Sequence, residues 1–181
     1  MIEINNINGD VIYTHEGNTL CCANLSGADL RWADLEGADL TDAKLSFADL
    51  TGADLSWADL EGADLTDAKL SFADLTGAKL SFANLRSADL TDAKLYSANL
   101  RGSHLNAADL TGAKLYDADL NGAKLKGANL TGAKLNNADL KGADFTGADL
   151  TGVKFYPSEL KGADLSGAKL KGAMFYNPDW C

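Results

Sequence analysis

From residue 21 to residue 175 a large apolar residue returns at every fifth position, with an alanine two places ahead of nearly every one. These 155 residues divide into 31 pentads without insertion or deletion. The fifth place is Leu in 28 pentads and Phe at Phe145, Phe155 and Phe175; the third is Ala in 28, the exceptions being Ser103, Val153 and Ser158. A period of five fits neither an α-helix at 3.6 nor a strand at 2. On a helix it would sweep Leu around every face and bury none. A chain that turns after each pentad places every Leu inward, each pentad forming one side of a polygon. The third and fifth residues then point the same way, as in a short strand. Ala fits near a corner and Leu fills the centre. The other places hold Asp, Asn or Lys (fourth), Ser, Thr, Arg or Tyr (first) and Gly or Asp (second), which are solvent and turn residues.

The unit A(D/N)LXX, as in Ala28-Asp29-Leu30 and Ala58-Asp59-Leu60, resembles the signature of the pentapeptide-repeat family, and it covers 155 of 181 residues. The resemblance implies an all-β chain folded as a right-handed quadrilateral parallel β-helix, a solenoid of four pentads per coil. Thirty-one pentads then make about eight coils, a rod roughly 37 Å long at strand spacing. Ahead of the repeats, Ile2, Ile4 and Ile7 are followed by Asn8-Gly9 and then Val11-Ile12-Tyr13. Asn-Gly between apolar alternations signals a β-hairpin. Residues 1–20 are therefore expected to form an N-terminal hairpin cap, residues 21–175 the β-helix, and residues 176–181 a C-terminal cap or tail. Phe175, Tyr176 and Trp180 are expected to cover the last coil or, as the resemblance implies, to meet a second copy in a homodimer.

Four pentads per coil stack residues 20 apart. A second periodicity crosses this one: residues 33–53 recur identically at 58–78, a shift of 25. Five pentads on a four-pentad coil rotate each copy by a quarter turn, so Trp32, Trp57 and Phe82 spiral around the rod, as do Phe47 and Phe72. They stand in the second place, where a type II turn wants the positive φ that Gly permits. Mixed turns are expected before about residue 100 and uniform type II turns after it. One face changes sign: residues 34, 54 and 74 are Asp, whereas Lys94, Lys114, Lys134 and Lys154 continue it beside Tyr96, Tyr116, Tyr156 and Tyr176, interrupted by Asn136. Asp117 and the neighbouring faces are expected to offset the lysine charge. The stripe is either an interaction surface for an acidic or planar partner or a solvated ladder with tyrosines on lysine stems.

The net charge of −10 argues against direct nucleic-acid binding. Residues 1–90 carry 5 basic and 16 acidic side chains, and residues 91–181 carry 11 and 10. An acidic surface of Asp29, Asp34, Asp39, Asp49, Asp54 and Asp59 therefore faces solvent in the first half. The resemblance extends to members that confer quinolone resistance, mimic B-DNA and bind DNA gyrase. The first-half repeats carry about half a charge per Å, near that of duplex DNA, but the second half does not. A rigid scaffold for an unidentified protein partner is the primary expectation, and gyrase binding is the alternative. No catalytic, cofactor or metal site is expected: Ser103 should point inward and its neighbour His104 outward, and a flat convex face excludes no water. No run of 18 apolar residues exists and the first residues lack a secretion signal, so a cytoplasmic protein without a membrane segment is expected. Cys21, Cys22 and Cys181 lack metal-ligand spacing and are read as reduced thiols, with only an intermolecular disulfide feasible.

Overall fold

Leucines five apart can share one dry axis only if the chain turns after each of them. The computed structural model, which describes residues 1–156 and 160–176, shows how it does so. At each corner the third-position N–H donates back to the preceding fifth-position carbonyl, as from Ala33 to Leu30 at 3.1 Å and from Ala53 to Leu50 at 3.0 Å. The second-position residue inside that turn has positive φ and the first-position residue does not, which defines a type II turn.

The expected mixture of turns before residue 100 is not found. Trp32, Phe47, Trp57, Phe72 and Phe82 have φ between 58° and 61°, beside 69° at Gly27 and 67° at Gly52. The ladder is the reason. The second-position N–H of these residues donates to the first-position carbonyl of the next winding, Trp32 to Thr51 at 3.0 Å and Phe47 to Thr66 at 2.9 Å. Any other turn would orphan that donor. A left-handed residue costs roughly 1–2 kcal/mol, and the aromatic rings recover part of this by packing. The Trp32 ring lies over Gly52, Trp57 over Gly77 and Phe82 over Gly102, where an added Cβ would strike the ring.

Successive windings pair in parallel with a register of 20 residues, from Asn24↔Lys44 through Asp34↔Asp54 and Lys94↔Lys114 to Asp149↔Lys169. A pentad led by an aspartate uses all five of its N–H groups. Leu50 donates to Lys69 O at 2.7 Å, Asp49 to Ala28 O at 2.9 Å, Gly52 to Ser71 O at 2.9 Å and Ala53 to Leu50 O at 3.0 Å. The fifth, Thr51 N–H, donates to the Asp49 carboxylate at 3.2 Å. Aspartate at the fourth place is thus a corner brace as well as a solvated charge. The interior is one column of side chains: Leu30, Leu60, Leu90 and Leu120 are fully buried, as are Ala53, Ala83 and Ala113. Ser103 is fully buried too, and its Oγ has no hydrogen-bond partner.

Strands β1 (Ile2–Asn5) and β2 (Val11–His15) form an antiparallel hairpin with a bulge between Ile4 and Asn5. Asn6 organises its turn, its Oδ1 accepting from the N–H groups of Asn8 (2.9 Å) and Asp10 (3.0 Å). The hairpin joins the repeats edge-on. Asp34 N–H donates to Asn5 O at 2.8 Å and Ile7 N–H to Trp32 O at 3.0 Å, supplying a rung ahead of Asp34, while Ile4 is buried in the core.

One winding departs from this regularity. It carries Phe145, Val153 and Phe155, bulkier than the Leu and Ala elsewhere and fully buried. The column that starts at Asp34 pairs continuously up to Lys114↔Lys134. It resumes as β3 (Lys154–Phe155), parallel to β4 (Met174–Phe175). Between Lys134 and Lys154 no bridge forms among the described residues. Two bonds that the period would place there are not made among the described residues: Leu135 N–H to Lys154 O and Lys154 N–H to Ala133 O.

Candidate interaction face

Each member of the predicted acidic surface except Asp34 is at least partly committed through a short bond. Asp39 accepts from the N–H and hydroxyl of Thr41 at 3.1 and 2.7 Å, Asp49 from the Thr51 hydroxyl at 2.6 Å, and Asp54 from Ser56 N–H at 2.9 Å. Asp59 instead meets the Lys79 ammonium at 2.8 Å, as Asp49 meets Lys69 at 3.2 Å, one winding on. Asp29 pairs with Arg31 at 2.6 Å and Asp34 accepts a long 3.4 Å bond from Glu36 N–H. The Thr41 hydroxyl and N–H hold the Asp39 carboxyl below its ordinary range, and Arg31 does the same for Asp29. Half of this surface is therefore neutralised by a basic neighbour.

The lysine end of the Asp34 column differs. Lys94 still reaches back to Asp74 at 2.8 Å, at the rung where the column changes sign. That contact and the Asp74 charge raise the Lys94 pKa. Lys114, Lys134 and Lys154 stack above it with no ion pair among the described residues. Asp117, expected to offset them, instead accepts from Asn137 Nδ2 at 3.1 Å. A lysine at the fourth place also offers no acceptor for the corner, and the N–H groups of Tyr116 and Asn136 have no partner among the described residues. The tyrosines do not rest on lysine stems alone; they stack on one another. Tyr96 and Tyr116 have ring centroids 5.5 Å apart at 13°, and Tyr156 and Tyr176 are 5.5 Å apart at 26°. Asn136 takes the rung between the two pairs.

At that rung the ladder break opens a cleft of about 220 Å³, lined by Tyr116, Ala133, Lys134, Asn136, Gly152 and Lys154. Sequence reasoning found its walls but not the cleft. A second cleft, about 320 Å³, lies where Ile12 meets Asp29, Arg31 and Trp32, and there the charged pair satisfies itself.

Elsewhere the chemistry is sparse. His104 points outward with Nε2 at 3.1 Å from Lys124 Nζ, and burial, Lys124 and Arg86 together lower its pKa. Among the described residues no three His, Cys, Asp or Glu side chains are grouped to hold a metal ion. The Cys21 and Cys22 sulfur atoms are 3.5 Å apart and free. Among the described residues no helix is long and apolar enough to cross a membrane. At the far end Phe175 stacks on Phe155 at 5.4 Å, and Leu170, Met174, Phe175 and Tyr176 are exposed. Trp180 and Cys181 lie outside the described residues.

The model of pentapeptide repeats matches eight copies, across residues 23–62, 53–92, 63–102, 88–127 and 123–156. The chain belongs to the pentapeptide-repeat family. This pentapeptide-repeat protein is 37% identical to HetL of the cyanobacterium Nostoc sp. strain PCC 7120, covering 88% of this chain and 86% of HetL with a TM-score of 0.45. HetL is described as involved in heterocyst differentiation regulation. Rfr23 of the cyanobacterium Cyanothece 51142 is 39% identical over 57% of this chain and 60% of its own, with a TM-score of 0.35. Full-length QnrB1, a plasmid-mediated fluoroquinolone resistance protein, is 19% identical over 86% of this chain and 92% of its own, with a TM-score of 0.43. No curated protein matches the chain.

Proposed function

We propose that this pentapeptide-repeat protein is a non-enzymatic cytoplasmic scaffold whose Lys/Tyr face engages an acidic protein partner. In this reading the rod is right-handed with about eight coils, residues 21–175. The hairpin of residues 1–20 covers its start and residues 176–181 its end. The observation that carries it is the contrast along one column: Lys94 is neutralised by Asp74, whereas Lys114, Lys134 and Lys154 have no ion pair among the described residues and stand beside stacked tyrosines. A rigid backbone holds those groups at fixed spacing, so little ordering entropy is lost on association. The regulatory description of HetL accords with an interaction role. The test is affinity capture with wild-type protein and with Lys114→Glu/Lys134→Glu. A specific partner should be retained by the first and lost from the second; identical retention would remove the face from consideration.

The exposed apolar end at Leu170, Met174 and Phe175 supports a second contact, a homodimer through the C-terminal end. Sedimentation should then show a dimer that Phe175→Asp dissociates. The gyrase alternative needs a continuous acidic surface, and the pairing of Asp29, Asp49 and Asp59 with basic side chains weakens it. Micromolar protein is expected to leave gyrase supercoiling unchanged; inhibition would revive the DNA-mimic reading.

A further inference from the structure

The break between the Lys134 and Lys154 rungs concentrates several features that occur together nowhere else among the described residues. Two lysines without an ion pair among the described residues flank it, and a third, Lys114, stands one winding away. Tyr116 has one ring face against Tyr96, while the rung on its other side carries the Asn136 amide in place of an aromatic ring. The N–H of Leu135, which the ladder would otherwise consume, has no partner among the described residues. The two ammonium groups that line the cleft attract an anion, and an open tyrosine face accepts a flat ring. The cleft, at about 220 Å³, is smaller than sites that enclose drug-sized ligands, roughly 300–1,000 Å³. Its occupant is therefore of single-ring size.

We propose that this cleft binds a small planar anion, a single aromatic ring bearing a phosphate or carboxylate. The anionic group lies between the Lys134 and Lys154 ammonium groups, and the ring takes the place of the missing aromatic rung against Tyr116. The proposal rests on the Lys/Tyr column being the recognition face and narrows it to one rung and one ligand chemistry.

Phenyl phosphate is the probe, titrated into the full-length protein and followed by calorimetry and by backbone amide chemical shifts. The shifts should centre on Leu135, Asn136 and Asn137. Inorganic phosphate and benzyl alcohol, each supplying half of the chemistry, should bind at least about tenfold more weakly, the scale of one lost charge-assisted contact. Lys154→Gln should weaken phenyl phosphate by a similar factor and Lys44→Gln should not. Asn136→Tyr, which completes the aromatic column, should abolish binding; should that variant misfold, Lys154→Gln still decides. Equal affinity for phenyl phosphate and inorganic phosphate, or shifts spread over every exposed lysine, would overturn the proposal. Loss of partner capture in Lys114→Glu/Lys134→Glu without phenyl phosphate binding would leave the face standing and this site refuted. Phenyl phosphate binding with capture unaffected would do the reverse.

Discussion

The Asp34–Asp74 stretch and the Lys94–Lys154 stretch belong to one column with one register, yet they behave as different materials. In the first, Asp54 and Asp74 accept the N–H two residues on, and Asp74 also meets the next cation. In the second, the lysines close no corner, neutralise no neighbour above Lys94, and end at a rung where the ladder itself is open. The core can be uniform while the surface decides how firmly each winding is held to the next.

The sharpest way to break this contrast is through the core. Leu75 and Leu135 occupy the same column and are equally buried. Leu75→Ala should cost about 3 kcal/mol in chemical denaturation, whereas Leu135→Ala, beside a rung that can already relax, should cost about 2 kcal/mol. Equal losses would mean that the break carries no slack. Acid should come next in size. Asp74 is held below its ordinary carboxyl pKa although burial opposes this, because Lys94 and Thr76 outweigh the burial; Thr51 and Lys69 act likewise on Asp49. Their folded pKa values lie below the unfolded ones. The stability they confer is whole above about pH 4, the unfolded carboxyl range, and is lost as pH falls through the depressed folded values. Amide protection factors, which allow for the slower intrinsic exchange in acid, should fall from pH 6 to pH 3 around Asp49 and Asp74 and stay level around Lys114.

Smaller effects test the corner brace. Asp74→Ala should lower stability by about 1 kcal/mol, since Thr76 N–H loses its acceptor. Ser103→Ala, a core change that owes nothing to the surface, should raise stability by about 1 kcal/mol by removing a buried hydroxyl without a partner. Lys114→Asp should gain about 0.5 kcal/mol by giving Tyr116 N–H the acceptor that the acidic stretch already has. A loss there would show that the fourth-place carboxylate is not what separates the two stretches.

Which parts were legible in the chain follows from which forces are local. Leu and Ala at alternate places of a pentad announce an inward face, and the hairpin at Asn8-Gly9 is written in its own turn residues. The 20-residue register came with the family resemblance. Turn type was misjudged because φ preference at Trp32 or Phe47 was weighed without the inter-winding bond that overrules it. Aspartate at the fourth place read as charge when its carboxylate also completes the backbone accounting. The Lys/Tyr column was visible as a stripe, but its cleft was not. That depends on the open rung between Lys134 and Lys154, a fact of three dimensions.

The mismatch between the 25-residue duplication and the 20-residue register has a consequence for how such a chain changes. Any whole number of pentads can be added or removed without disturbing the hydrogen-bonded interior, because one corner is built like the next. Only multiples of four return a side chain to the compass point it left. Copying five moves an entire surface pattern one corner round, so length and decoration can be edited independently, the interior serving as a spindle on which exterior motifs are re-indexed.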